Sequence, residues 1–129
     1  MAMNILIVDD SLLTRKAIKR IISMIGLDVA EVLEAENGVE ALKVLDEAKV
    51  DLVLADLNMP VMSGMEMIYH MRGKEATRPI PVVIVSAESS TARIEGFLAD
   101  GAKDYLRKPF KSEEFKEIIE RIIGVQSYD

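Results

Sequence analysis

The sequence lacks the residue types on which several common classes of functional site depend. Its 129 residues include no cysteine and a single histidine, His70. Disulfides, thiol catalysis and thiolate metal sites are therefore excluded, and a zinc site built on histidines is not expected. No apolar run approaches the length that crosses a bilayer, and a strand pattern starts at residue 3, so no membrane anchor or secretory signal peptide is predicted.

Positive charge is also scarce. The chain has 16 lysines and arginines against 22 aspartates and glutamates, a net charge of −6. A nucleic-acid ligand is not expected, because phosphate backbones require a basic protein face. The length suits one compact domain. We expect that domain over residues 1–124, followed by a short C-terminal tail over residues 125–129, in a cytoplasmic protein.

Strand-like and helix-like segments alternate five times along the chain. The strand patterns cover residues 3–8, 29–35, 52–55, 82–85 and 105–107, and each is followed by a segment with helical signals. This alternation predicts repeated βαβ units and a parallel sheet. The first helix is predicted to begin near Ser11 and end before Gly26. Its inward face is predicted to carry Leu13, Ala17, Ile18, Ile21 and either Met24 or Ile25.

The polarity of the strands predicts their order in the sheet. The first, third and fourth runs are almost wholly apolar, as in strands that are buried on both faces. The second run carries glutamates and the fifth is flanked by charges, so both are predicted at the edges. The order 2-1-3-4-5 places the apolar runs centrally. This order predicts an α/β, flavodoxin-like (βα)5 three-layer sandwich with a parallel five-stranded sheet and its ligand site between strands 1 and 3.

Three aspartates stand where the first and third strands end. Asp9 and Asp10 follow the first strand, and Asp56 follows the third. In neighbouring parallel strands these carboxylates converge and repel one another unless a cation or a proton joins them. Clustered carboxylates favour a hard cation, Mg²⁺ first and Mn²⁺ second.

The carboxyl ends of the strands also carry groups that suit phosphoryl transfer. Asp56, at the end of a central strand, is the natural nucleophile, and its attack on phosphorus gives an acyl phosphate. Ser86 offers a hydroxyl directly after the fourth strand. Lys108 offers a positive charge just beyond the fifth.

Four motifs in order carry a family resemblance over essentially the whole chain. They are residues 8–11 (VDDS), 56–60 (DLNMP), 86–88 (SAE) and 101–110 (GAKDYLRKPF). The chain resembles the receiver domain of two-component response regulators, in particular the stand-alone CheY-like chemotaxis type.

The resemblance implies a role for each matching residue. Asp56 would be the phosphoacceptor, and Mg²⁺ would be bound by Asp10, Asp56 and the backbone carbonyl of Asn58, with Asp9 acting through a coordinated water. Lys108 and Ser86 would bind the phosphoryl oxygens.

The resemblance also implies a switch and its decay. Ser86 would be drawn toward the site and Tyr105 would swing inward, changing the surface of helix 4, strand 5 and helix 5. Asn58 and Glu88 match positions that tune dephosphorylation in the family.

The expected function is therefore that of a stand-alone response regulator of a phosphorelay. A histidine kinase or phosphotransfer protein would be the donor. A flagellar motor switch or another phosphorelay component would be the downstream partner of a monomeric protein. Such a protein is not an enzyme on free substrates and catalyses only its own phosphorylation and dephosphorylation.

Two alternatives fit less well. One is a phosphohydrolase with an aspartate nucleophile, which would require an acid where Asn58 stands. The other is a flavodoxin-like cofactor binder, whose phosphate loop is replaced here by acids.

Overall fold

The structure is a computed structural model that describes the backbone of residues 2–127 and the side chains of residues 2–122. Five strands alternate with five helices. The order is β1 (Met3–Val8), α1 (Leu12–Met24), β2 (Val29–Ala35), α2 (Gly38–Glu47), β3 (Leu52–Asp56), α3 (Gly64–Arg72), β4 (Val82–Ser86), α4 (Thr91–Ala99), β5 (Asp104–Arg107) and α5 (Ser112–Ser127).

The strands form one parallel sheet in the order β2-β1-β3-β4-β5, which confirms the predicted order and the flavodoxin-like fold. β3 and β4 each extend one residue beyond the predicted runs, to Asp56 and Ser86, because those residues still pair with the neighbouring strand. α5 continues to Ser127, three residues past the boundary predicted at residue 124. The last two residues of the predicted tail lie outside the described residues.

Both faces of the sheet are covered by helices. On one face, side chains of β1, β3 and β4 pack with Ile18 and Ile22 of α1 and with Phe115 and Ile119 of α5. On the other face the alternate side chains of the same strands pack with α2 and α3. This two-sided burial explains why the central strands are apolar at nearly every position before their last residues.

The inward face of α1 differs from the prediction. Leu13 is 79% exposed and Ala17 is exposed as well, so these two assignments were wrong. Of the alternatives Met24 and Ile25, Ile25 packs against the core and Met24 is 69% exposed. The buried residues are Arg15, Ile18 and Ile22. An arginine therefore occupies one inward position of the helix, which is rotated relative to the apolar pattern that the leucines suggest.

Side-chain caps fix where the helices begin. Ser11, Asn37 and Ser90 accept hydrogen bonds from the third residue of α1, α2 and α4, and Ser63 forms a capping box with Glu66 at α3. Such caps bond backbone N–H groups that have no partner inside the helix.

None of the nine residues of α4 is buried. Among the described residues, no helix is long and apolar enough to cross a membrane.

Candidate functional site: an acidic cluster at the ends of β1 and β3

The parallel pairing of β1 with β3 brings three carboxylates together. Val8 pairs with Ala55, so Asp9 and Asp56, the next residues, lie side by side at the strand ends. Oxygens of Asp9, Asp10 and Asp56 lie within 4.8 Å of one another. Asp9 is buried, Asp56 is partly buried and Asp10 is exposed. The predicted cluster of acids is thus present in the fold.

Asp9 is held through both its backbone and its side chain. Its N–H donates to the carbonyl of Ala35 at 3.0 Å, and its own carbonyl accepts from the guanidinium of Arg15 at 2.6 Å. One carboxylate oxygen accepts from the Ser11 N–H at 2.8 Å. The other lies 3.3 Å from the Nζ of Lys108. Asp9 is consequently held in place by four contacts.

Lys108 is the cation of this cluster. It follows β5, and its N–H donates to the carbonyl of Ser86 at 2.8 Å. Its Nζ lies 3.3 Å from Asp9 and 3.8 Å from Asp56. One positive charge therefore serves two carboxylates that come from different strands.

The environment of Asp56 works against its negative charge. Burial raises the pKa of the Asp56 carboxyl, the charges of Asp9 and Asp10 raise it further, and Lys108 and a hydrogen bond from the Leu57 N–H lower it, for a net rise. That hydrogen bond is 2.9 Å long and reaches Oδ1, the same oxygen that faces Lys108. Within the described part of the chain the second oxygen, Oδ2, has no such partner, so it is the oxygen available for a reaction.

Ser86 and Tyr105 are connected to each other beside this cluster. Ser86 ends β4, the strand next to β3, and is buried. Its hydroxyl accepts from the Glu88 N–H at 3.3 Å. The Tyr105 hydroxyl lies 3.0 Å from the carbonyl oxygen of Ser86 and 2.5 Å from that of Glu88, to which it can donate. Burial, and to a smaller extent the nearby Glu88 charge, raises the pKa of the Tyr105 phenol.

The two residues predicted to tune dephosphorylation occupy loops at the carboxyl ends of the strands, after β3 and β4. Asn58 is exposed, two residues after Asp56. The carboxylate of Glu88 accepts from the N–H groups of Ser89 and Ser90 and lies 2.8 Å from Arg93. Glu88 is therefore oriented toward the first turn of α4.

Sequence reasoning missed two groups of supporting residues. The first is Arg15, which joins the Asp9 carbonyl to Glu34 on β2, with the Arg15 Nε 2.9 Å from the Glu34 carboxylate. Lys19 contacts the same carboxylate at 3.2 Å. The spacing of Arg15 from Ile18 and Ile22 was a usable signal, since all three lie on one helical face.

The second group links Tyr105 to α4. The Phe97 ring stacks on the Tyr105 ring with centroids 6.3 Å apart, and the Arg93 guanidinium lies 5.9 Å from the Phe97 centroid. Because Arg93 also contacts Glu88, the loop after β4, helix α4 and strand β5 form one connected set of contacts. The spacing of Arg93 and Phe97, four residues apart, was the only sequence signal for it.

Comparisons with known proteins point to one family for the whole chain. The family model described as the response regulator receiver domain matches residues 5–120. The chain is 36% identical to chemotaxis protein CheY1 of Helicobacter pylori over 95% of this chain and 98% of that protein. It is 36% identical to chemotaxis protein CheY of Listeria monocytogenes over 92% of this chain and 97% of that protein.

Solved structures give the same result. CheY4 of Vibrio cholerae superposes with a TM-score of 0.84 at 30% identity, covering 95% of this chain and 99% of that one. The receiver domain of a sensor histidine kinase from Pseudomonas aeruginosa has a TM-score of 0.83 at 28% identity, covering 96% and 99% of the two chains. That neighbour has a magnesium ion coordinated in its active-site cleft.

Proposed function

The chain belongs to the response regulator receiver family, as a CheY-like regulator of two-component signalling, and we propose that it is switched by phosphorylation of Asp56. The observation that carries this proposal is the contact of one ammonium group, Lys108, with Asp9 and Asp56 inside a cluster of three carboxylates. A nucleophilic carboxylate, a positive charge and acids that can hold a divalent cation are groups that suit the transfer of a phosphoryl group to a carboxylate.

The residues present fit a magnesium ion. Three carboxylates within 4.8 Å exceed the single charge of Lys108, and the raised pKa of Asp56 reflects both burial and this excess. Asp10, Asp56 and the carbonyl of Asn58 would hold the ion directly, and Asp9 through a water, with Mn²⁺ as a second choice. When bound, Mg²⁺ supplies the positive charge that lets an anionic phosphoryl group approach these acids.

The transfer step follows from the two oxygens of Asp56. Oδ1 is occupied by the Leu57 N–H and faces Lys108, so Oδ2 attacks the phosphorus of a phosphohistidine on a histidine kinase or phosphotransfer protein. The new O–P bond forms as the P–N bond breaks. The electron pair of the P–N bond returns to the imidazole nitrogen, which takes up a proton from solvent. Lys108 and the Ser86 hydroxyl then bind the phosphoryl oxygens.

The signal leaves the site through Ser86. When its hydroxyl turns to the phosphoryl group, the hydrogen bond from the Glu88 N–H is lost and residues 86–88 shift. The Tyr105 hydroxyl contacts the carbonyls of Ser86 and Glu88, and its ring stacks on Phe97 of α4. The shift therefore changes the surface of α4, β5 and α5, which binds the downstream partner.

The signal ends when water hydrolyses the acyl phosphate, at a rate tuned by Asn58 and Glu88. The protein processes no free substrate in this scheme. It acts as a cytoplasmic monomer, and its downstream partner is a flagellar motor switch protein or a phosphorelay component, in keeping with the chemotaxis relatives.

Incubation with acetyl phosphate and Mg²⁺ tests the phosphorylation step without a cognate kinase. Intact-mass spectrometry is expected to show one base-labile phosphoryl adduct on the wild type and none on Asp56→Asn or in EDTA. Asp46→Asn is the matched control, because Asp46 is an exposed aspartate paired with Lys74 on the α2–α3 side of the molecule. Wild type without an adduct, or an adduct that survives Asp56→Asn, would contradict the proposal.

A pull-down tests the output step. Beryllofluoride-treated wild type is expected to retain a partner from a lysate that Asp56→Asn, treated in the same way, does not retain. Lys108→Ala is expected to accept some phosphoryl group yet fail to retain the partner. Normal retention by phosphorylated Lys108→Ala would remove Lys108 from the switch.

A further inference from the structure

A cavity lies at the amino-terminal ends of the strands, opposite the acidic cluster at their carboxyl ends. It has a volume of about 350 Å³ and is formed where α3 ends, where β4 and β5 begin, and at the turn after α4. The cavity and the acidic cluster lie at opposite ends of β4, which spans four residue steps, about 13 Å at 3.3 Å per residue. The volume lies in the range of about 300–1,000 Å³ that is typical of small-molecule sites.

Three cations line this cavity in a protein whose net charge is −6. They are Arg72, Arg78 and Lys103. Within the described part of the chain, no acidic side chain lines the cavity and none of the three forms an ion pair with a carboxylate. The local charge is therefore positive and is not neutralised by neighbouring side chains.

Arg72 is built into the wall by neutral partners. Its guanidinium donates to the carbonyl oxygens of Arg78, Ile80 and Gly101 at 2.7, 3.1 and 2.9 Å. Burial lowers the pKa of Arg72, since no acid offsets the loss of solvent. Gly101 leaves room for this arrangement, because a Cβ there would lie 3.3 Å from the Arg72 Nε. The charge of Arg72 is thus fixed in position and remains uncompensated.

The other two cations are free to meet a ligand. Arg78 donates through Nε to the carbonyl of Arg72 at 3.0 Å, which leaves its terminal nitrogens for other partners. Lys103 is exposed, and its backbone N–H donates to Val82 at the start of β4. The rest of the wall is apolar and includes Ile80, Leu98 and Ile122.

We propose that this cavity is a ligand site for a small organic anion that carries a phosphate or carboxylate group on an apolar body. The anionic group pairs with Arg78 and Lys103 beside the fixed charge of Arg72, and the apolar body packs against Ile80 and Leu98. The site requires no phosphorylation of Asp56 and no metal ion, so it stands independently of the proposed function.

Two-dimensional ¹H–¹⁵N NMR in EDTA tests the site, with phenyl phosphate and benzoate as anionic probes and benzyl alcohol as the neutral one. The anions are expected to shift the amides of Ile80, Gly101 and Lys103 in both wild type and Asp56→Asn, more weakly as salt rises. Lys103→Gln and Arg78→Gln are each expected to weaken binding about three- to fivefold, as for loss of an exposed charge contact. Lys111 is an exposed lysine beyond the carboxyl end of β5, and Lys111→Gln is expected to leave the affinity unchanged.

Three results would overturn the inference. The first is the absence of shifts at these amides with either anion at tens of millimolar. The second is an equal response to benzyl alcohol, which would mark the cavity as apolar only. The third is unchanged affinity in both Lys103→Gln and Arg78→Gln, which would place binding elsewhere. The amide spectra of the variants also report that they are folded.

Discussion

Replacing Asp56 with asparagine is expected to stabilise the protein when divalent cations are absent. Asparagine keeps the shape of the side chain and the acceptor for the Leu57 N–H, but it removes one of three clustered charges. This charge is unfavourable in the absence of metal, because Asp56 is partly buried beside two other acids.

The magnitude follows from the distances. Carboxylate oxygens of the three aspartates lie at most 4.8 Å apart. Two charges at that limit repel by about 3.5 kcal/mol at an effective dielectric constant of about 20, so Asp9 and Asp10 together would oppose the Asp56 charge by about 7 kcal/mol at that separation. Lys108, 3.8 Å away, returns about 4.4 kcal/mol. The remainder is about 2.6 kcal/mol before further screening, so we expect a gain of about 1–3 kcal/mol in the free energy of unfolding.

Urea and thermal denaturation in EDTA at neutral pH measure this gain. A domain of 129 residues gains about 4 °C in Tm for each kcal/mol. Glu47→Gln, an exposed acid at the end of α2, is the control and is expected to change stability by less than about 0.5 kcal/mol. Saturating Mg²⁺ is expected to stabilise the wild type and to reduce the advantage of Asp56→Asn.

The pH dependence has a defined sign. The pKa of Asp56 is raised in the folded state, so the folded protein binds this proton more tightly than the unfolded chain does. The penalty on the wild type is complete above the folded pKa and disappears as the pH falls to the ordinary value of 3.8. The advantage of Asp56→Asn therefore shrinks on acidification. Equal or lower stability of Asp56→Asn at neutral pH in EDTA, or a gain that does not depend on pH, would refute the reasoning.

Three further predictions concern the surroundings of the site. Val61 has φ of 69°, which is strained for a β-branched residue, and its side chain is 79% exposed. Val61→Asn is expected to raise the free energy of unfolding in urea by about 1 kcal/mol. A lower free energy of unfolding in this variant would contradict backbone strain at Val61. Tyr105→Phe removes the hydrogen-bond donor to the carbonyls of Ser86 and Glu88. We expect the free energy of unfolding to fall by about 1 kcal/mol and amide hydrogen exchange in residues 87–90 to become faster. Unchanged exchange would argue that Tyr105 does not hold this loop. α4 has no buried residue and contains a glycine; its amides are expected to exchange faster than those of α1, and equal protection would contradict a mobile α4.

The sequence was sufficient for the fold because the strands differ in polarity. The glutamates of β2 and the charges around β5 predicted edge strands, and the almost wholly apolar runs predicted central ones, as the sheet has them. The same logic predicted the acidic cluster, since adjacent parallel strands end at a common edge. Lys108 lies 99 residues from Asp9, yet both follow strands and so reach the same edge.

The orientation of α1 was only partly predicted by its apolar residues, since Ile18 and Ile21 pack inward and Leu13 does not. The helix is turned so that Arg15 reaches the Asp9 carbonyl and Glu34 on β2. Such contacts depend on how the helix docks against the sheet, and local periodicity does not contain that information. The basic cavity escaped prediction for a similar reason, because Arg72, Arg78 and Lys103 come from separate segments that meet only in the fold.

Locating the phosphoryl group on the chain tests the central claim most directly. Wild-type protein is treated with acetyl phosphate and Mg²⁺, reduced with borohydride to convert the acyl phosphate to an alcohol, digested and sequenced by mass spectrometry. We predict a single reduced residue, Asp56, in which the side-chain carboxyl has become a hydroxymethyl group and phosphate has been released. A reduced residue at Asp9, Asp10 or any other acid, with Asp56 intact, would contradict the account.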